Sequence, residues 1–144
     1  MSIKRNGEGY PDPTAAEALA AVIQDERRKA YRPLVFICSP YAGDISGNTA
    51  KARRYCKFAV ERGAIPFASH LLFPQFMDES NTAERKLGLL FSTIMLGKCD
   101  QLWAFVETFC GGDNISTGMK IELAKARKRG IPIRTFSEDC EERI

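Results

Sequence analysis

The chain has 144 residues, 44% hydrophobic, 27% charged and 10% aromatic. That suits one globular domain, because two cores would each bury too little apolar surface. It also excludes disorder over most of the length. The 21 basic and 18 acidic side chains leave a net charge of +3, too small an excess to mark a nucleic-acid binder. No apolar run approaches the ~20 residues that a membrane-spanning helix requires. The segment Met1 to Gly9 has no apolar stretch behind Lys4 and Arg5, unlike a secretory leader. A cytoplasmic protein is expected, with no nucleic-acid or membrane partner. Cys38, Cys56, Cys99, Cys110 and Cys140 form no C-x-x-C, and the lone His70 has no cysteine nearby. Reduced core thiols are therefore expected, without a metal.

Residues 1–12 are polar and rich in Gly and Pro, a composition that predicts a flexible arm. Thr14 with Glu17 three residues later resembles a capping box. Leu19, Val22, Ile23 and Ala30 follow at helical spacing, so a helix is predicted over 13–31. The apolar run Leu34 to Cys38, between Pro33 and Pro40, has the pattern of a strand covered on both faces. A polar loop from Pro40 to Gly47 leads to a helix predicted from Asn48 to Arg62, with Ala52, Tyr55, Cys56, Ala59 and Val60 on one face and Gly63 as its stop. A second strand is predicted over 64–69, a third helix from Thr82 to Gly97 and a third strand over 101–106. A fourth helix follows from Ile115 to Arg129 and a last strand over 130–136. The acidic tail, residues 137–144, is expected to fray.

Alternating strands and helices predict one α/β domain over 13–144, with a Rossmann-like core at 33–136 and an extra N-terminal helix. Pro66 and Pro132 each sit in a strand, and proline cannot donate to a ladder on both sides. Placing those strands at the edges gives the order 2-1-3-4, a doubly wound parallel sheet of the flavodoxin-like kind with helices on both faces. The ligand crevice of such a sheet lies beyond the carboxyl ends of its central strands. The loops delivered there include Ser39 to Gly47 and Glu107 to Thr117. Both are rich in small polar residues that suit an anion at a helix start. Neither carries G-x-G-x-x-G or a Walker lysine, so a plain turn stays open for each and no cofactor is implied. In the fourth helix, Met119, Leu123 and Ala126 face inward. Helical side chains lean toward the N-terminus, which directs Glu122 back over Gly118 toward the crevice. The helix dipole would favour its charged form. An ordinary exposed first-turn glutamate remains the alternative.

The run Ser116 to Ala124, after a strand ending Trp103 to Val106 and before Arg129 to Ile133, resembles the signature of the nucleoside 2-deoxyribosyltransferase superfamily. That group includes hydrolases that remove the base from nucleoside 5′-monophosphates. Val35 to Gly43 is similar to the family's first strand and loop, and Asp100 stands at its usual place. The resemblance spans about Leu34 to Phe136. It implies Glu122 as the nucleophile, forming a covalent glycosyl-enzyme after an oxocarbenium-like transition state. It gives Tyr41 an aromatic contact to nucleophile or base, and His70 a contact to the base.

Ser116 stands where transferases of free nucleosides tend to carry Asp, which implies a monophosphate substrate. An Asp would repel phosphate, whereas a Ser hydroxyl beside helix N–H groups donates to it. Ser39, Gly43, Asp44 and Gly118 complete the expected substrate and phosphate contacts. Ser92 departs from the pattern by replacing an orienting Asp, and the loop 107–115 is longer than usual. The function expected is N-glycosidic cleavage or (deoxy)ribosyl transfer on a nucleoside 5′-monophosphate. The alternative is a non-catalytic nucleotide-binding module of the same fold. Apolar surface on the first and third helices, and the family's habit, imply a homodimer.

Overall fold

The structure, a computed structural model, describes residues 13–28, 31–109 and 112–143. The arm expected over residues 1–12, and Cys110, lie outside them. The chain divides into two compact units, one up to Tyr31 and one from Arg32 onward. The first contains α1 (Pro13–Arg28). This helix begins one residue ahead of Thr14, so proline takes a first-turn position where its missing N–H goes unused, and Thr14 lies inside the helix rather than at its cap.

The second unit runs β1 (Leu34–Cys38), α2 (Ile45–Glu61), β2 (Ile65–Phe67), a short α3 (Ser69–Leu72), a 3-10 turn at Phe73–Gln75, α4 (Thr82–Lys98), β3 (Gln101–Phe109), β4 (Gly112–Asn114), α5 (Thr117–Arg129), β5 (Ile133–Ser137) and β6 (Glu142–Arg143). The sheet order is β2-β1-β3-β5-β6, with β4 paired to β3. Its first four strands are parallel and match the expected 2-1-3-4, β5 being the fourth. The apolar runs are continuous because both sheet faces are covered. Phe36, Cys38, Leu102, Ala104 and Val106 pack with Met119, Leu123 and Ala126 of α5. Val35, Ile37, Trp103 and Phe105 pack on the other face with Tyr55 and Ala59 of α2. Tyr55 stacks on Phe105 with centroids 4.0 Å apart.

Three differences from the sequence reading have local causes. Pro132 precedes β5 instead of lying in it, so it leaves that strand free to pair on both sides. The tail then turns at Cys140, whose φ is +63°, and returns as β6, antiparallel to Thr135 and Phe136. Arg134 fixes it there: its guanidinium donates to both carboxylate oxygens of Glu142 at 2.6 and 2.8 Å and lies 4.9 Å over the Trp103 ring. The tail is thus an edge strand where fraying was expected. Finally, the loop after Val106 is a hairpin, because β3 continues to Phe109 and β4 pairs back on Glu107 and its neighbours. Asp100 ties the amino ends of β1 and β3 together, its carboxylate accepting from the Leu34 N–H at 2.7 Å. That is the end of the sheet away from the crevice.

Candidate functional site

The first loop at the carboxyl end of the sheet is shaped by its own side chains. Asp44 caps α2, accepting from the Gly47 N–H at 3.1 Å. Asn48 donates to the carbonyls of Tyr41 and Ala42, both at 3.1 Å. Gly43 has φ +92°, a left-handed value that favours glycine. Gly43 and Asp44, expected to bind substrate, therefore build the turn into α2 and stay outside the cavity described below. Ser39 is buried and its Oγ has no hydrogen-bond partner.

Helix α5 opens at Ser116, whose hydroxyl accepts from the Met119 N–H at 3.3 Å. Gly130, in the left-handed region, closes it in the usual manner of a C-terminal glycine. Met119, Leu123 and Ala126 are buried against the sheet, as their spacing predicts. Glu122 lies among them and is only partly exposed. Its Oε2 is fully buried and has no hydrogen-bond partner. The Cys38 thiol at the end of β1 donates to the Met119 carbonyl oxygen, Sγ to O 3.9 Å, next to the Glu122 carboxyl. Burial pushes Glu122 up to about 8, while the neighbouring Cys38 thiol pulls the other way. Cys38 itself is raised well above its ordinary value by burial and then by the neighbouring carboxylate. The helix dipole, which the sequence reading expects to keep Glu122 charged, is outweighed by desolvation.

A cavity of about 440 Å³ opens among the start of α5, α3, the 3-10 turn and α4. It brings together five residues singled out in the sequence: Tyr41, His70, Ser92, Ser116 and Gly118. Tyr41 and His70 stack with centroids 4.7 Å apart and planes 10° from parallel. Burial lowers the His70 pKa, with the Ser39 backbone pulling the other way, which favours a neutral ring. Burial raises the Tyr41 phenol, with Glu79 adding to the effect. Glu122 and Ser39 do not line the cavity.

Sequence reasoning missed Arg85 and Cys38. Arg85 lines the cavity from α4, and among the described residues its guanidinium has no ion-pair or hydrogen-bond partner. Its signal was the spacing Arg85, Gly88, Leu89, Ser92, a single helical face at i, i+3, i+4 and i+7. Cys38 gave none, since a thiol inside an apolar strand reads as core. No group of His, Cys, Asp or Glu among the described residues could hold a metal ion, and none of their helices is long and apolar enough to cross a membrane.

A model of a family described as a domain of unknown function (DUF7768) matches residues 33–136, from the residue before β1 into β5. The chain belongs to that family. The matched part of this DUF7768 chain includes every residue that lines the cavity. No curated protein matches the sequence. Among solved structures, a 2-deoxyribosyltransferase from Bacillus psychrosaccharolyticus aligns with a TM-score of 0.54 at 15% identity, over 72% of this chain and 71% of that one. A 2-desoxiribosyltransferase from Leishmania mexicana aligns with a TM-score of 0.49 at 18% identity, over 73% of this chain and 64% of that one. At these identities the likeness to the bacterial enzyme is one of fold.

Proposed function

We propose that this DUF7768 chain cleaves or transfers the N-glycosidic bond of a nucleoside 5′-monophosphate, with Glu122 as nucleophile. The observation that carries the reading is the Glu122 carboxyl: deeply buried, with one oxygen unpartnered, one turn into a helix whose first residues border a cavity. A buried polar atom without a partner in a native fold calls for an explanation, and a group that reacts with substrate supplies one. The shared fold with a protein that is a 2-deoxyribosyltransferase supports the same chemistry.

In the reaction, a Glu122 oxygen forms a bond to C1′ as the C1′–N bond breaks. The base leaves with the electron pair and takes a proton from water. Water or a second base then attacks C1′ and releases the carboxylate. The Tyr41–His70 stack offers a face for the base. Ser116, Ser92 and the Arg85 guanidinium offer donors to phosphate and sugar oxygens. Glu122 must be ionised to attack, and with a pKa of about 8 only about a tenth of it is so at pH 7. Activity should therefore rise with pH across that range. The homodimer belongs to the same reading: Leu87, Leu90 and Ile94 of α4 are exposed, and a monomeric mass in light scattering would remove it.

The deciding assay is base release from purine and pyrimidine nucleosides and their 5′-monophosphates, by the wild type and Glu122→Ala. The monophosphates should be cleaved and the variant should be inert. Retention of more than a few per cent of turnover by the variant takes Glu122 out of the nucleophile role. A second reading, a nucleotide-binding module without turnover, is favoured by Ser92, which lines the cavity where the resemblance implies an orienting Asp, and by the raised pKa of Glu122. Thermal stabilisation by nucleotides with no base release from any of them would select it.

A further inference from the structure

Helix α4 is held unevenly along its length. Leu96 is its one fully buried residue, sharing the core with Met119, Leu123 and Ala126 of α5. One turn before it, Thr93 gathers a set of hydrogen bonds. Lys125 of α5 donates to the Thr93 hydroxyl at 2.9 Å, and Arg129 of α5 donates to the Thr93 carbonyl at 2.7 Å. The hydroxyl in turn donates to the Leu89 carbonyl at 2.9 Å. Among the described residues every hydrogen bond between α4 and α5 ends on Thr93. Gly97 makes room for the arrangement: a Cβ there would come within 2.6 Å of the Arg129 Nη1. Glycine weakens a helix interior, and the close approach of the guanidinium accounts for it here. The residues of α4 that line the cavity, Arg85, Gly88, Leu89 and Ser92, all lie on the amino-terminal side of this anchor. On that stretch α4 leans on the segment after β2, with the Phe91 and Phe73 centroids 5.8 Å apart and Met77 beside Gly88.

We propose that Thr93, clamped by Lys125 and Arg129, is a positioning residue: it sets where α4 presents Arg85 and Ser92 to a ligand held at the start of α5. The role serves the nucleotide site proposed above and rests on that reading. The lever is long. Arg85 lies about 12 Å before Thr93 along the helix, so a tilt of about 5° moves it by about 1 Å. A shift of that size carries a hydrogen bond of about 2.9 Å beyond bonding distance. Glu122 answers to a different anchor, because Met119 and Leu123 hold α5 on the sheet without the clamp. Loosening Thr93 therefore displaces groups that bind the ligand and leaves the nucleophile in place. Thr93 belongs to the site although it does not line the cavity.

The test separates the clamp from ordinary packing. Thr93→Val keeps the shape and loses the hydroxyl that receives Lys125 and reaches Leu89. Gly97→Ala leaves every hydrogen-bonding group in place and pushes the Arg129 guanidinium off the Thr93 carbonyl. Thr93→Ser keeps the hydroxyl. AMP, GMP, CMP, UMP and their deoxy counterparts are titrated calorimetrically against each protein, and base release from each is followed. For the tightest binder, Kd and KM should rise by roughly tenfold or more in Thr93→Val and Gly97→Ala, as the loss of one charge-assisted hydrogen bond gives. The value of kcat should hold, and Thr93→Ser should stay near wild type. A lower melting temperature with unchanged Kd and KM would reduce Thr93 to a packing residue and overturn the proposal. An equal loss in Thr93→Ser and Thr93→Val would do the same. If one variant does not fold, the other decides. A shifted Kd with no base release by any protein would refute glycosyl transfer and leave the clamp standing. A wild type that binds none of these nucleotides would overturn both.

Discussion

Helices α2 and α5 both begin at the carboxyl end of the sheet, one after β1 and the other after the β3–β4 hairpin. Each has a side-chain cap, Asp44 for α2 and Ser116 for α5, and each loop is rich in small polar residues. By composition alone they are equivalent anion-binding starts. They differ in what surrounds the cap. Around α2, Asp44 accepts from the Gly47 N–H and Asn48 donates to the Tyr41 and Ala42 carbonyls. Around α5, Ser116 and Gly118 border a cavity that also holds Arg85 and Ser92, and Glu122 keeps an orphaned oxygen. The loop into α2 also holds an unmatched group, the buried Ser39 Oγ, but that residue does not line the cavity; α5 joins an unmatched carboxyl oxygen to a helix start that borders it.

The largest effect should come from removing the orphaned carboxyl. Glu122→Gln should lower base release by roughly 10³-fold or more, since it removes the attacking group. Its effect on stability has the opposite sign. A carboxyl whose pKa rises on folding, from 4.5 to about 8, favours the protonated folded state. Its contribution is complete below the unfolded value of 4.5 and is lost as pH rises through 8. Wild-type stability should therefore fall between those two pH values, and Glu122→Gln should flatten the fall. Urea midpoints measured at pH 5 and pH 8 would check this. An equal fall in both proteins would mean that Glu122 is solvated in the folded state.

The comparison also shows what could be read from the sequence. The order of the four parallel strands was read correctly although half of its argument failed: Pro66 lies in the edge strand β2, whereas Pro132 precedes β5, which pairs with β3 and β6. The continuous apolar runs were the sounder signal, because burial on both faces leaves a direct trace in composition. Met119, Leu123 and Ala126 fixed the inward face of α5, and Ser116 and Gly118 were found at its start. Tyr41, His70 and Ser92 were found by resemblance, and the fold brings them to one cavity. What the sequence did not carry was the balance of forces at Glu122: dipole and desolvation act on the same residue, and only the packing of Cys38 and its neighbours decides between them. The hairpin and β6 were missed for a related reason. Their partners are set by tertiary pairing, and the two residues of β6 are too few to show any period.

Exchanging the caps sharpens the contrast. Ser116→Asp keeps an N-cap acceptor, so stability should change by less than about 1 kcal/mol. A carboxylate there should repel phosphate while still accepting from a sugar hydroxyl. In the wild type, the 5′-monophosphate should bind at least about tenfold more tightly than its nucleoside, as one charge-assisted hydrogen bond provides. The variant should reverse that order. Calorimetric titration of both ligands against both proteins decides it, and equal affinities in the wild type would leave Ser116 with its capping role alone. Asp44→Ala should do the converse, costing about 1 kcal/mol of stability with neither ligand's affinity changed.

The smallest expected effect is at Gly118. A Cβ built there meets no protein atom within 4 Å, and the backbone is helical, so neither packing nor a left-handed conformation requires glycine. Alanine should leave stability unchanged or raise it, by no more than about 1 kcal/mol, through the smaller entropy of the unfolded chain. The added methyl would project where Gly118 borders the cavity. A ligand packed against the start of α5 would meet it, and nucleotide affinity should drop while the melting temperature holds or climbs. Such a divergence separates a ligand-facing glycine from a structural one. Undiminished affinity in Gly118→Ala would show that the ligand lies farther toward α4, against Arg85 and Ser92.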